Sequence, residues 1–171
     1  MKLTIATNKD LPRIQLLYEN VIQSMYKNNV FIWDDYYPYQ IIKNDITNQT
    51  FYIVEQNNEL IGGFALNSEH KASNSMKWHE KNAPVLYLDR FGIHSDYTNQ
   101  GIATKVLNEI IKIVRQKNIH YLRLFVVQSN LPAIQFYCKN NFLKAQGIYG
   151  EQMNTGNVLY ENAYEKVIKI D

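Results

Sequence analysis

The stretch LYLDRFGIHSDYTNQGIA, Leu86 to Ala103, decides the fold. It reads as a strand, then a polar turn, then a glycine that opens a long amphipathic helix. A loop running into a helix N-terminus presents backbone N–H groups that the helix cannot pair internally, at the positive end of the helix dipole. Both features suit a phosphate group. Around this stretch, Val85–His94 is an apolar strand and Gly101–Lys117 a helix. Ile102, Val106, Leu107, Ile110, Ile111 and Val114 share one face of that helix, and Lys105, Glu109, Lys112 and Arg115 lie mostly elsewhere.

Downstream, Tyr121–Val127 is a near-continuous apolar run, as expected of a strand buried on both faces. Asn130 caps a short helix with Pro132 in its first turn, and two closing strands follow, from Phe142 onward and over Val158–Ile168. Upstream, Leu3–Ala6 is a short strand and Asn8 is the candidate N-cap of a helix. In that helix Leu11, Ile14, Leu17, Tyr18, Val21, Ile22 and Met25 recur at the helical period. An aromatic run follows, Phe31-Ile32-Trp33-Asp34-Asp35-Tyr36-Tyr37, and Pro38 opens a second helix reaching Thr47. Phe51–Gln56 and Leu60–Leu66 flank the hairpin turn Asn57-Asn58. The polar segment 67–83, with Glu69 and Trp78, reads as a long loop and a candidate lid. The order β-α-α-β-β-β-α-β-α-β-β implies an α/β protein with a partly parallel sheet and helices on its faces.

A chain of 171 residues fits a single domain, 1–171, with a proper core. A net charge of +2 gives no argument for nucleic acid as an obligate partner. The lone Cys138 cannot form an internal disulfide and favours a reducing compartment. The start MKLTIATNKD has no apolar signal region, and no apolar run approaches the ~20 residues of a membrane span. These features point to a cytoplasmic protein without membrane contact, in which the sequon Asn48-Gln49-Thr50 carries no meaning. His70, His79 and His120 show no metal-ligand spacing, so no metal is expected. Cys138 lacks an evident base partner and reads as packing. The 13 tyrosines combine apolar area with a polar tip, and some are candidates to line a pocket.

With these residues in view, the chain resembles the GNAT superfamily of N-acetyltransferases. The family's Q/R-x-x-G-x-G/A motif aligns with Thr98-Asn99-Gln100-Gly101-Ile102-Ala103. Gly101 and Ala103 match. Thr98 stands where the family usually has glutamine or arginine, which affects a side-chain contact rather than the backbone cradle. A second motif looks like the family's N-x-x-A…F-Y…G-F: Asn130, Ala133, Phe136-Tyr137 and Asn141-Phe142. Asn141 replaces the usual glycine, which asparagine can do because it tolerates a left-handed backbone. The resemblance covers nearly the whole chain, most firmly Leu86 to Phe142. It implies the GNAT fold, a mixed central sheet of about seven strands with a splayed central pair and flanking helices.

The resemblance further implies acetyl-CoA (coenzyme A) as cofactor and direct transfer of the acetyl group to a primary amine in a ternary complex. The pyrophosphate would rest on backbone N–H groups from Gln100 to Thr104, where a Cβ at position 101 would hold the backbone away. Thr98, Asn99, Ile102 and Ala103 belong to the same cradle. The pantetheine arm would run beside Val85–Ile93, with the N–H of Phe91 facing the thioester carbonyl and that of Ile93 a pantetheine amide. A preorganised N–H at Phe91 would stabilise the developing oxyanion. Asn130 and Ala133 would border the pantetheine. Tyr137 matches the family's general acid; a phenol of ordinary pKa ~10 can protonate the departing thiolate without ionising at neutral pH.

The incoming amine is an ammonium at neutral pH, so a base must take its proton. A common acidic position of the family holds Phe125 here. By the two-residue strand period, Tyr87 and Asp89 project with Phe91, which makes Asp89 the candidate base, directly or through water, with Tyr87 nearby. The alternative is that Asp89 pairs with a basic residue such as Arg90. His94 suits a turn or a phosphate-proximal role. On the acceptor side, Trp33, Tyr36 and Tyr37 form a candidate aromatic wall, with Asp34 and Asp35 attracting an ammonium; the alternative is that the aromatics pack inward. A Trp-x-x-x-Tyr-Pro element, matched by Trp33, Tyr37 and Pro38, occurs in relatives of unassigned substrate. Three functions fit: a small-molecule amine N-acetyltransferase, a peptide or protein N-acetyltransferase, and a non-catalytic acetyl-CoA sensor. Family members are often dimers, and Val158–Ile168 is the candidate partner edge.

Overall fold

The structure is a computed structural model that describes residues 1–34, 37–153 and 156–170. Among these the elements run β1 (Lys2–Ile5), α1 (Leu11–Lys27), α2 (Tyr39–Thr47), β2 (Phe51–Gln56), β3 (Glu59–Asn67), β4 (Val85–Ile93), α3 (Ile102–Gln116), β5 (Tyr121–Val127), α4 (Leu131–Lys139), β6 (Leu143–Lys144), β7 (Tyr149–Gln152) and β8 (Val158–Val167). Short 3-10 turns lie at Asn8–Asp10, Ser73–Ser75 and Ser95–Tyr97. The strands form an eight-stranded sheet in the hydrogen-bonded order β1-β2-β3-β4-β5-β8-β6, with β7 also on β8. The β4–β5 ladder is parallel, while β2 pairs antiparallel with β1 and β3, and β8 pairs antiparallel with β5, β6 and β7. This is the mixed sheet expected, with one strand more than the sequence suggested. The chain after Phe142 breaks into β6 and β7 because Gly147 intervenes at φ +119°, where a Cβ would lie 2.9 Å from the Ser75 carbonyl oxygen. No helix among the described residues is long and apolar enough to cross a membrane.

The chain forms two compact units. The first combines Met1–Leu66 with Leu88–Ile110 and holds a core from both helices and the hairpin. Ile14, Leu17, Tyr18 and Val21 of α1 and Ile42 and Ile46 of α2 pack with Phe51 and Ile53 of β2 and Ala65 of β3. The helical period in α1 therefore places its apolar residues as the sequence requires. Its start differs in detail. A 3-10 turn precedes the helix, so Thr7 rather than Asn8 closes that end: the Thr7 N–H and hydroxyl donate to Asp10 Oδ2 at 2.7 and 2.9 Å. Asn57 and Asn58, at φ 53° and 64°, make the two-residue hairpin turn, both in the left-handed region that such turns require.

The second unit combines Asn67–Tyr87 with the chain from Ile111 onward. Here β5 pairs with β4 over Val85↔Tyr121, Leu86↔Leu122 and Tyr87↔Arg123, and with β8 along its whole length. Because β8 carries β5 on one side and β6 and β7 on the other, it is an interior strand. The sequence reading of Val158–Ile168 as a free partner edge is corrected accordingly. The segment 67–83 is packed down rather than loose. Ala72 and Met76 are buried, the Trp78 indole N–H donates to the Ser73 carbonyl at 2.9 Å, and Lys77 bridges to Gln146. Arg123, within the apolar run of β5, anchors the same segment. Its Nε donates to Glu165 Oε2 at 3.2 Å, its Nη2 donates to the Glu80 carbonyl at 2.6 Å, and its guanidinium lies 4.2 Å from the Trp78 ring centre. Glu165 completes the network by accepting the His79 N–H at 2.8 Å.

Candidate active site

In the first unit, β4 runs directly into the turn and α3 that the sequence singled out. Gly101 sits at φ +72°, a conformation that side chains resist, and its carbonyl accepts the first helical bond, from the Lys105 N–H at 3.1 Å. It is thus the cap of α3, and Ile102 is the first helical residue. A Cβ built on Gly101 meets nothing within 4 Å. Glycine is therefore set here by backbone shape, with open space above the helix N-terminus for a group such as a pyrophosphate. Ala103 is half-buried and Thr104 exposed at the start of α3.

The turn is held from below. The Ser95 N–H donates to Asn20 Oδ1 at 2.8 Å, and the Asn20 amide donates back to Ser95 Oγ at 3.0 Å. His94 Nδ1 accepts the Asp96 N–H at 3.3 Å, which is the turn role expected of it. The Thr98 hydroxyl donates to the Ser95 carbonyl at 2.7 Å and the Gln100 amide to the Asp96 carbonyl at 2.6 Å. Both side chains are thereby spent inside the turn, which leaves the backbone as its outward face. Asn99 adds a second left-handed residue at φ 58°.

On β4, Arg90 has φ +53°. A left-handed residue interrupts the pleat, so the two-residue alternation that grouped Tyr87 and Asp89 with Phe91 does not extend across Arg90. The Arg90 side chain is buried and its Nε donates to Asp45 Oδ2 of α2 at 2.6 Å. Asp89 Oδ2 lies 3.7 Å from Arg90 Nη2, the pairing that stood as the alternative for Asp89. Burial would lower the Arg90 pKa, but Asp89, Tyr37 and Asp45 outweigh it and raise it above the ordinary arginine value. Ile93 ends the strand and lies over Gly62 of β3, where a Cβ would come within 2.7 Å of Ile93 Cδ1.

The candidate acceptor wall packs inward as far as it is described. Trp33 lies 5.7 Å from Tyr18 and 6.3 Å from Tyr37, ring centre to ring centre, and packs on the core of the first unit. The Tyr37 N–H donates to Asp34 Oδ1 at 2.7 Å, and its side chain bonds Arg90. Tyr36 and Asp35 lie outside the described residues.

In the second unit, Asn130 Oδ1 accepts the Ala133 N–H at 3.2 Å, so Asn130 caps α4 as its sequence position requires. Tyr137 is buried on α4 between Phe136 and Phe142, with ring centres 5.2 and 5.4 Å away. Asn141 has φ 61°, the left-handed conformation in which asparagine stands in for glycine, and it lets the Phe142 N–H reach the Tyr137 carbonyl at 3.1 Å. Tyr87 is buried, with its hydroxyl 2.5 Å from Ser73 Oγ. Its ring belongs to an aromatic cluster with His70, Trp78 and Phe125, in which His70 stacks on Phe125 at 4.1 Å. The sequence named Arg90 only as a partner for Asp89, and it did not flag the Arg90 backbone, Asp45 or this cluster. Arg90 has no glycine to announce its backbone, and Asp45 reads as an exposed helix residue until its partner is known.

Residues 17–142 match the acetyltransferase (GNAT) family. The chain belongs to this family and is an acyl-transferring enzyme. No curated protein matches it. Among solved structures, it is similar to a GNAT-family acetyltransferase from Streptococcus agalactiae, with 19% identity, 98% of this chain and 95% of that chain covered and a TM-score of 0.82. It is also similar to the ribosomal-protein-S18-alanine N-acetyltransferase from Escherichia coli, with 16% identity, coverage of 99% and 95% and a TM-score of 0.69. A third is the PaiA N-acetyltransferase from Thermoplasma acidophilum in complex with coenzyme A, with 20% identity, coverage of 94% and 96% and a TM-score of 0.61.

Proposed function

We propose that this chain transfers the acetyl group of acetyl-CoA to the primary amine of a small molecule, by direct attack. The observation that carries the reading is Gly101, a left-handed glycine that caps a long helix under open space, within a chain whose family uses acetyl-CoA. Bound acetyl-CoA supplies the activated thioester. The backbone of Gln100 to Thr104 holds its pyrophosphate, and Thr98 and Asn99 shape the turn that presents that backbone. Ile93, Asn130 and Ala133 line the pantetheine arm. The Phe91 N–H donates to the thioester oxygen as negative charge gathers there. A base must take the proton of the incoming ammonium; in this reading Asp89 does so from beside Arg90, directly or through water, and Tyr137 gives a proton to the departing sulfur. Tyr87 borders the acceptor in this reading, and the aromatic rings around it favour an acceptor with an apolar body. The single cysteine supports a cytoplasmic location.

Thiol release from acetyl-CoA, measured against a panel of small amines and a panel of peptides, tests the proposal. Turnover with a small amine and none with peptides is expected. Preference for peptide N-termini would move the acceptor to the second class, the one named for the Escherichia coli neighbour. An Asp89→Asn variant with an unchanged pH–rate profile would remove Asp89 from the mechanism.

The cradle has its own test. Gly101→Ala is expected to lower folding stability by about 1–2 kcal/mol, because a Cβ finds space but the left-handed backbone is strained. Its affinity for coenzyme A should fall by roughly tenfold, since the methyl enters the phosphate's space. Chemical denaturation and calorimetric titration read the two effects separately. Unchanged coenzyme A affinity would place the phosphate elsewhere.

A further inference from the structure

We infer that Tyr18 and the buried Asp45–Arg90 pair are positioning residues whose shared task is to aim the backbone N–H of Phe91. The inference rests on the oxyanion role proposed above for that N–H and adds the machinery that orients it.

The starting point is the backbone of Arg90. A non-glycine residue at φ +53° inside a strand costs roughly 1–2 kcal/mol and persists only where the surroundings over-determine it. The surroundings here do so from three sides. The Tyr18 hydroxyl, on α1, donates to the Arg90 carbonyl oxygen. Asp45, on α2, holds the guanidinium through Nε at 2.6 Å. Tyr37, in the connection between those helices, bonds the same side chain. Tyr18 is 0% exposed and Asp45 5%, so neither contact is exchanged with water.

The carbonyl of Arg90 and the N–H of Phe91 belong to one peptide group. That group is planar, and in a trans peptide its C=O and N–H point in opposite directions. A hydrogen bond that fixes the carbonyl oxygen therefore fixes the direction of the N–H as well. The Tyr18 hydroxyl pulls the oxygen towards α1, which turns the Phe91 N–H to the other side of the strand. α1 packs directly on this part of the strand: a Cβ at Gly92 would be in ordinary contact with Val21 Cγ2 at 3.4 Å and Tyr18 Cε1 at 3.5 Å. The Asp45–Arg90 pair holds the same residue by its side chain, so the peptide cannot relax by rotating about Arg90. Preorganisation of this kind matters most for a donor whose partner gains charge only in the transition state.

The test uses Tyr18→Phe, which removes one oxygen, and Asp45→Asn, which keeps the shape of the side chain and removes its charge. Both are assayed by thiol release from acetyl-CoA with an amine that the wild-type chain accepts, well below their melting temperatures. Each variant is expected to lose roughly 10- to 100-fold in kcat. The KM for acetyl-CoA and the affinity for coenzyme A, which lacks the thioester carbonyl, should stay within about twofold. A purely structural role would lower the melting temperature and leave kcat intact, and that result overturns the inference.

A second readout does not depend on turnover. In the wild type, the amide resonance of Phe91 should shift with acetyl-CoA and differ from its position with coenzyme A; in Tyr18→Phe that difference should shrink. If no amine is turned over but the difference appears and depends on Tyr18, the catalytic reading fails and the positioning stands. If the Phe91 amide does not distinguish the two ligands, the positioning fails whatever the assay gives.

Discussion

Replacing Tyr137 by phenylalanine is expected to lower kcat by roughly 100-fold or more, the usual range for loss of a positioned general acid. The substitution removes one oxygen and keeps the ring that packs between Phe136 and Phe142. The core face of α4 should therefore survive, and the melting temperature should move by only a few degrees. Affinity for coenzyme A should change little, because the proposed proton transfer to sulfur belongs to the chemical step. Steady-state thiol release, set beside calorimetric titration of coenzyme A, separates the two quantities. A matching loss of affinity and rate would recast Tyr137 as a ligand contact. An unchanged rate would remove it from the mechanism and leave it as one more buried tyrosine.

The largest expected effect on stability comes from Arg123→Met. Arg123 is 1% exposed, and its charge is matched by Glu165, the Glu80 carbonyl and the Trp78 ring. Removing one member of a buried ion pair leaves the other charge uncompensated, at a cost of about 3–5 kcal/mol. Total stability for a protein of this kind is about 5–15 kcal/mol, so the variant should unfold at a much lower urea concentration. Replacing Glu165 by methionine as well should recover most of the loss, since two apolar side chains in that space leave no orphaned charge. The segment held by Arg123 provides an independent reading. Amide exchange near His79 should quicken in Arg123→Met, because Glu165 accepts that N–H and is oriented by Arg123. A single variant that unfolds like the wild type would show that the ion pair contributes little beyond packing.

Much of the fold was legible because its signals are local. The helical period in α1 and α3, the paired asparagines of the hairpin, the Asn130 cap and the left-handed Asn141 each follow from neighbouring residues, and each holds. Gly101 belongs with them, since a glycine at a helix start announces an unusual backbone. The parts that were not legible depend on partners far along the chain. Arg90 has a left-handed backbone although nothing in its side chain favours one, and the groups that hold it, Tyr18 and Asp45, come from other elements. Trp33 and Tyr37, read as a wall for a substrate, join the packing around Tyr18, and aromatic composition alone does not separate the two uses. Arg123 sits in a run whose apolar neighbours conceal a buried ion pair. The extra strand, β7, depends on the turn at Gly147, whose cause is its closeness to Ser75.

One consequence of the architecture concerns the order in which the chain can fold and where it can be cut. The first compact unit needs Leu88–Ile110 as well as the first 66 residues, and the second interleaves with it, starting at Asn67 and resuming at Ile111. A ribosome that has released only the N-terminal segment has not yet supplied the whole of either unit. No single cleavage separates the two units, since each takes two separate lengths of chain. The strand β4 passes from one to the other within nine residues, between Tyr87 and Leu88. Fragments of this protein should therefore regain structure only by reassembly, and native behaviour should return when both pieces are mixed rather than with either one alone.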